Sequence, residues 1–231
     1  MENLLLQVSG LRVQLGGQVI LDDISFDLEK GKTLAIVGPN GAGKTVLFRA
    51  LLNMVPYTGK IRWFRKAKIG YVPQKLSVRE IPLSVKEFLS FKSRSNIENS
   101  LTLVGLNLSD ILNKSISVLS GGQLQRVLIA WAIIDEPDVL LFDEPTTGVD
   151  IDGVEVIYKM LKELKERSGI TILLISHEAH IIEEYSDYML ALNKCITYFG
   201  ESKNMADPNV QKMIFGEPVC LNILRTGVKN E

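Results

Sequence analysis

Residues 38–45 read GPNGAGKT and match the pattern G-x-x-x-x-G-K-[ST] at Gly38, Gly43, Lys44 and Thr45. The residue types suit one kind of chemistry. Glycines let successive backbone N–H groups curl around phosphate oxygens, and a helix starting there adds the positive end of its dipole. Lys44 can reach the β and γ phosphates, and Thr45 offers a hydroxyl to Mg²⁺. A second group follows the apolar run VLLF: Asp143 and Glu144. Asp143 can hold Mg²⁺ directly or through a water, and Glu144, facing the other way on a strand, can accept a proton from an attacking water. A third is LSGGQ at 119–123. Ser120 reads as a helix cap, and Gly121 and Gly122 expose N–H groups. That stretch is either an ordinary capped helix or a second anion-binding end. His177 and His180 are spaced as a metal pair would be, but no cysteine or third histidine lies nearby to complete a site. The one Asn-Lys pair, Asn193–Lys194, is not followed by the aspartate of N-K-x-D, which disfavours a guanine-specific site.

These groups need a scaffold that delivers them, and the hydrophobic pattern predicts one. Residues 4–28 alternate apolar and polar, with a break at LGGQ, as antiparallel strands joined by a Gly-Gly turn would. Thr33–Val37 is a continuous apolar run, the pattern of a strand buried on both faces. Helical spacing over 44–52 puts Leu47, Leu51 and Leu52 on one face, so the glycine-rich loop falls between a buried strand and a helix. KIRW and KIGYV read as strands, 84–112 as helical, 120–134 as a strong helix, and DVLLFDEP as a buried strand ended by Pro145. An amphipathic helix over 154–168 stops at Gly169. The strand TILLIS, a short helix, the strands YMLAL and CITYF, and a helix at Pro208–Phe215 follow. Strands alternating with helices predict an α/β fold with a mostly parallel sheet.

Composition narrows the partners. The 231 residues, 46% hydrophobic, suffice for one sizeable core or a core with a subdomain. Lys and Arg (26) balance Asp and Glu (27), without the basic excess expected of a chain that grips nucleic-acid phosphates. The densest basic cluster, Lys60, Arg62, Arg65, Lys66 and Lys68, reads as a solvated strand–turn–strand. Cys195 and Cys220 are far apart with no C-x-x-C spacing, which predicts no disulfide framework and a reducing, cytoplasmic compartment. The acidic second residue and short apolar run at the start are not those of a secretory signal. No apolar run approaches the ~20 residues of a membrane span. The expectation is a soluble chain whose membrane role, if any, comes through a partner.

The ordered motifs resemble those of the ATP-binding cassette (ABC) ATPases over essentially the whole chain. The Walker A loop corresponds to residues 38–45, comprising Gly38, Pro39, Asn40, Gly41, Ala42, Gly43, Lys44 and Thr45, with Val46 following. The Q-loop glutamine corresponds to Gln74 in YVPQ, and the signature to Leu119, Ser120, Gly121, Gly122 and Gln123. Walker B corresponds to Val139–Asp143, followed by Glu144. The D-loop corresponds to TTGVD with Asp150, and the switch histidine to His177 in LLISHE. The resemblance implies a P-loop NTPase fold with a mostly parallel core sheet, an N-terminal antiparallel β subdomain and a helical subdomain. As one ABC ATPase domain over 1–231, it would place the nucleotide-binding core at 1–74 and 136–216, the helical signature subdomain at 75–135 and a tail at 217–231.

It further implies ATP and Mg²⁺ as cofactors and a head-to-tail homodimer. Each ATP would lie between Walker A of one copy and the signature of the other. Glu144 would be the general base, and His177 would contact the γ-phosphate. Gln74 and Thr45 would contact Mg²⁺ with Asp143, and Asp150 would link the two sites. Leu15 stands where the family usually places an aromatic residue against adenine, so aliphatic contact would replace stacking. Trp131 stands where arginine is common, to pack in the core or to face a partner.

One cassette without membrane segments or a long coiled-coil insertion is typical of importers. The stretches KIGYVPQKL, IPLSVKEFL, DEPTTGVD and NVQKMIFGEP resemble metal importers of the zinc and manganese type. They imply an ATPase at the cytoplasmic face of the membrane, bound to a polytopic permease and served by a solute-binding protein, that powers uptake of zinc, manganese or iron. The alternatives are an ABC ATPase of a non-transport complex, such as iron–sulfur cluster assembly, and an importer for another small solute. The histidine-rich C-terminal extension of some zinc relatives is not found.

Overall fold

The alternation of apolar and polar residues at the start of the chain produces a long hairpin. Strand β1 (Leu4–Leu15) pairs antiparallel with β2 (Gln18–Glu29), in register from Leu4 opposite Glu29 to Leu15 opposite Gln18. Leu6, Val8, Leu11 and Val13 of β1 and Leu21, Ile24, Phe26 and Leu28 of β2 form the buried face. The step from Val8 to Leu11 departs from strict alternation because the register shifts there, at a bulge beside Gly10. All five residues of the next strand, β3 (Thr33–Val37), are buried. Helix α1 (Lys44–Leu51) follows the glycine-rich loop and buries Leu47, Phe48, Ala50 and Leu51. Strand β4 (Thr58–Trp63) returns to pair with β1, giving the sheet order β2-β1-β4.

The structure, a computed structural model, describes residues 3–64, 66–74, 82–144 and 151–216. They fall into two compact units: Met1–Lys66 with His177–Glu231, and Ala67–Ser176. In the second unit, β5 (Ile69–Val72) is followed by α2 (Val85–Ser90), α3 (Ile97–Leu103), α4 (Leu108–Ile111), a 3₁₀ turn (Ile116–Val118) and α5 (Gly121–Ile133). The helical stretch expected over 84–112 is thus three short helices. Local capping fixes two of the three starts: Ser84 and Glu87 form a capping box that starts α2, and Asn107 caps α4 through the Ser109 N–H. Strand β6 (Val139–Asp143), α6 (Ile151–Ser168) and β7 (Thr171–Ile175) complete this unit. Helix α6 begins three residues before the expected 154. β5, β6 and β7 are parallel neighbours, with Tyr71 opposite Leu141 and Leu141 opposite Leu173. β6 and β7 are buried at every position, which is why their sequences run apolar without alternation.

The last part of the chain returns to the first unit. Helix α7 (Ala179–Tyr185) leads to β8 (Tyr188–Asn193), β9 (Cys195–Glu201), a 3₁₀ turn (Ser202–Ala206) and α8 (Pro208–Phe215). β8 lies parallel to β3, and β9 lies antiparallel to β8. Asp187 pins the β3–β8 pair at its start. Its carboxylate accepts from the Thr33 N–H at 2.7 Å, and its own N–H donates to the Thr33 carbonyl at 2.9 Å. α8 starts where expected because Asp207 caps it and Pro208 supplies a fixed φ at its first position. Cys195, which opens β9, is buried, and Cys220 lies outside the described residues. Among the described residues, no helix is long and apolar enough to cross a membrane.

Leu141, fully buried in the middle strand of the second unit, gives a direct test of this core. Leu141→Ala is expected to lower unfolding free energy by about 2–5 kcal/mol, read as a lower urea midpoint.

Candidate active site

In the first unit, β3 delivers the chain to Gly38, whose φ is 144°. A Cβ there would lie 2.1 Å from the Leu192 carbonyl oxygen, so only glycine fits between the loop and β8. Pro39, Asn40 and Gly41 are exposed, and the chain turns inward at Ala42, whose N–H donates to the Pro39 carbonyl at 3.2 Å. Gly43, at φ 98°, caps α1, and its carbonyl accepts from the Leu47 N–H at 2.8 Å. Lys44 is 6% exposed, and its ammonium donates to the carbonyls of Gly38 (2.9 Å) and Pro39 (3.0 Å). A nearly buried ammonium requires such acceptors. They hold it at the mouth of the loop. Thr45 and Val46 follow, half-buried in the first turn of α1.

One support of this loop went unrecognised in the sequence. Lys194, in the tight β8–β9 turn at φ 62°, donates its N–H to the Ala42 carbonyl at 3.1 Å, and its carbonyl accepts from the Asp22 N–H at 2.8 Å. The turn therefore ties the loop to β2. In the sequence the Asn193–Lys194 pair reads as an incomplete guanine motif, and its turn-forming character is the signal of this support.

Leu15 ends β1, half-buried at the Gly16–Gly17 turn, and presents aliphatic surface. His177 is exposed, two residues before α7. His180 is also exposed, with its ring nitrogen 3.8 Å from the Glu178 carboxylate. Among the described residues, no cluster of three or more His, Cys, Asp or Glu could hold a metal ion.

The second unit carries the carboxylates. Asp143 ends β6 and is 1% exposed. Glu144 does not continue the strand, contrary to the expected alternation. Its φ is 50°, and its N–H donates to the Ile175 carbonyl at 3.2 Å. A left-handed conformation is uncommon for a non-glycine residue and recurs at functional sites. Here it re-aims Glu144 out of the strand's two-face pattern. Gln74, two residues beyond β5, donates its side-chain amide N–H to the Glu144 carboxylate. The parallel pairing of β5 with β6 brings these two residues together across seventy positions of sequence.

The signature stretch forms the start of α5 as expected. Ser120 Oγ accepts from the Gln123 N–H, and the Gln123 side-chain oxygen accepts from the Ser120 N–H, both at 3.2 Å. The cap uses a lone pair of the exposed Ser120 hydroxyl and leaves its O–H able to donate. Gly121 and Gly122 occupy the first turn, where helix N–H groups have no partner within the helix. Trp131, near the other end of α5, packs within the unit, its ring stacked on Phe88 at 6.2 Å. Asp150 lies outside the described residues, as do Pro145 and the tail from 217.

The chemistry available is therefore an ammonium held at the mouth of a glycine loop, a helix start with an exposed hydroxyl, and a carboxylate oriented by an amide. Thr45 of the first unit offers a hydroxyl oxygen, and Gln74 and Asp143 of the second offer amide and carboxylate oxygens. Oxygen donors of these kinds suit a hard cation such as Mg²⁺.

Comparison with known proteins agrees with this chemistry. The ABC transporter family model matches residues 21–147. A zinc import ATP-binding protein, ZnuC, of Pseudomonas aeruginosa (strain UCBPP-PA14) is 34% identical over 94% of this chain and 82% of its own length. Among solved structures, an inward-facing ABC transporter proposed to be of metal-chelate type superposes with a TM-score of 0.82 at 28% identity, covering 92% of this chain and 89% of that one. The cbiO1 protein of Clostridium perfringens, part of the ABC transporter complex cbiONQ, gives 0.77 at 28% identity, covering 90% and 97%. With its glycine loop, capped signature helix and strand-end carboxylates in the family's order, the chain belongs to the ABC transporter family as an ATP-binding protein.

Proposed function

We propose that this protein is the ATP-hydrolysing subunit of an importer that takes up a divalent metal ion, zinc in the first instance, through a separate membrane permease. The carrying observation is the 34% identity to the zinc import ATP-binding protein, spread over 94% of the chain rather than confined to the shared motifs. That breadth favours transport over a non-transport ABC complex. The subunit works at the cytoplasmic face, held there by the permease, with a solute-binding protein delivering the ion. The helical subdomain, 75–135, is the part that meets the permease.

Catalysis in this reading is positioning and charge stabilisation, as in phosphoryl transfer generally. The glycine loop from Gly38 to Gly43 receives the β and γ phosphates on its N–H groups. Lys44 exchanges its loop carbonyls for phosphate oxygens. Leu15 covers the base with aliphatic surface. Glu144 takes the proton of the attacking water, and Gln74 holds that carboxylate through the hydrogen bond seen here. His177 steadies the γ-phosphate.

Thr45, Gln74 and Asp143 would hold Mg²⁺, which neutralises charge on the phosphates when bound. The Gln74 amide divides these duties: its N–H orients Glu144 and its oxygen remains for the cation. Ser120 through Gln123 close on the nucleotide of a second copy, and Asp150 links the two sites.

Glu144→Gln is expected to keep ATP affinity while turnover falls roughly a hundredfold or more, leaving a persistent ATP dimer on size exclusion. Full hydrolysis in that variant contradicts the base assignment. Ser120→Arg is expected to abolish turnover by placing a bulky cation at the dimer seam. Specific activity should rise with protein concentration; a concentration-independent rate rejects the shared site. Leu15→Tyr, by adding a stacking face, is expected to lower the KM for ATP roughly tenfold, measured by steady-state kinetics. Metal import is tested by co-purifying the subunit with its permease and measuring ATP-dependent uptake of zinc, manganese and iron into proteoliposomes. Uptake of none of the three rejects it.

A further inference from the structure

The C-terminal end of α5 is held by side chains from outside the helix. Its last carbonyls have no intrahelical partners, and four side chains reach that end. Lys92, just after α2, donates its ammonium to the Trp131 carbonyl at 3.0 Å and the Ala132 carbonyl at 3.3 Å. The same ammonium lies 4.5 Å from the centre of the Trp131 ring and 3.9 Å from the Asp135 carboxylate. Phe88 of α2 also stacks against that ring, with centroids 6.2 Å apart. Asn96 donates to the Ile134 carbonyl at 3.1 Å, and Lys68 reaches the Asp135 carbonyl at 3.5 Å. Partial burial lowers the Lys92 pKa, opposed by the Asp135 charge. The lysine is thus drawn partly out of water to meet the negative end of the helix dipole.

The same turn of α5 also touches the strand that carries Gln74. A Cβ on Gly70 of β5 would lie 2.6 Å from the Ala132 carbonyl oxygen, so strand backbone packs directly on the carbonyl that Lys92 binds. From Gly70 the chain runs through Val72 to Gln74, and Gln74 bonds Glu144. One helix turn therefore joins α2, the Gln74–Glu144 pair and, through the body of α5, Ser120.

We propose that Lys92 is a positioning residue, locking the C-terminal end of α5 to α2 and so setting Ser120 relative to the Gln74–Glu144 pair. This rests on the roles given above to Ser120 and Glu144. The geometry makes the lock sensitive. A helix of this length is about 20 Å long, so a tilt of roughly 3° at one end moves the other by about 1 Å. A misplacement of that size can cost on the order of a hundredfold in rate.

The experiment uses the full chain carrying Trp63→Phe, which leaves Trp131 as the one remaining tryptophan of two. Steady-state ATPase activity, melting temperature and Trp131 emission with and without ATP and Mg²⁺ are measured for Lys92→Met, Lys92→Arg and Glu144→Gln. Lys92→Met should lower kcat roughly tenfold with KM changed less than about twofold. It should also abolish a nucleotide-dependent change in Trp131 emission. Lys92→Arg, which keeps the cation and its donors, should restore at least half of kcat. If Lys92→Met does not fold, Lys92→Gln is read by the same criteria. Unchanged kcat, a loss matched by the fraction unfolded, or no recovery with arginine overturns the proposal. Wild-type turnover in Glu144→Gln overturns the reading of the site instead. An inactive Glu144→Gln beside a fully active Lys92→Met removes the role of Lys92 alone.

Discussion

The buried ammonium of Lys44, bonded to the carbonyls of Gly38 and Pro39, sets the terms for the phosphate loop. A cation so enclosed must have acceptors or a counter-charge. The loop supplies acceptors from its own backbone, which obliges it to curl. Curling presses Gly38 against the Leu192 carbonyl, and the Lys194 turn then fastens Ala42 from the same side. The β8–β9 turn thus does for the phosphate loop what capping does for a helix: it supplies a partner for a backbone carbonyl and fixes the direction of the chain.

The second unit follows a related logic with the opposite charge. Three parallel strands, with β6 and β7 buried at every position, leave little room for polar groups except at their ends. Polar chemistry therefore collects at the strand ends, as in parallel sheets generally. Asp143 is the last residue of its strand, and Glu144 turns away through a left-handed conformation. The neighbouring strand ends two residues before Gln74, close enough for the amide to hold the Glu144 carboxylate. A carboxylate fixed by an amide has less orientational freedom to lose when a water must be activated.

Helix α5 connects these ideas. Its N-terminal end carries the Ser120–Gln123 capping box and two glycines, and its C-terminal end is clasped by Lys92, Phe88 and Asn96. A helix is stiff along its axis, so what is done at one end is felt at the other. Trp131, at that clasped end, acts as the platform for the lysine within its own unit.

The sequence by itself determined the kinds of element and the chemical identity of the site. Continuous apolar runs gave buried parallel strands at Thr33–Val37, Val139–Asp143 and Thr171–Ile175, alternation gave the first hairpin, and glycine with lysine at fixed spacing gave the phosphate loop. These are local properties, written in neighbouring residues. The tertiary structure decided the left-handed turn of Glu144, its pairing with Gln74, and the hold of Lys194 on Ala42 and of Lys92 on α5. Most of these join residues many positions apart through a single hydrogen bond or ring contact. No periodicity records such a bond, because its partners meet only after the strands and helices between them have packed.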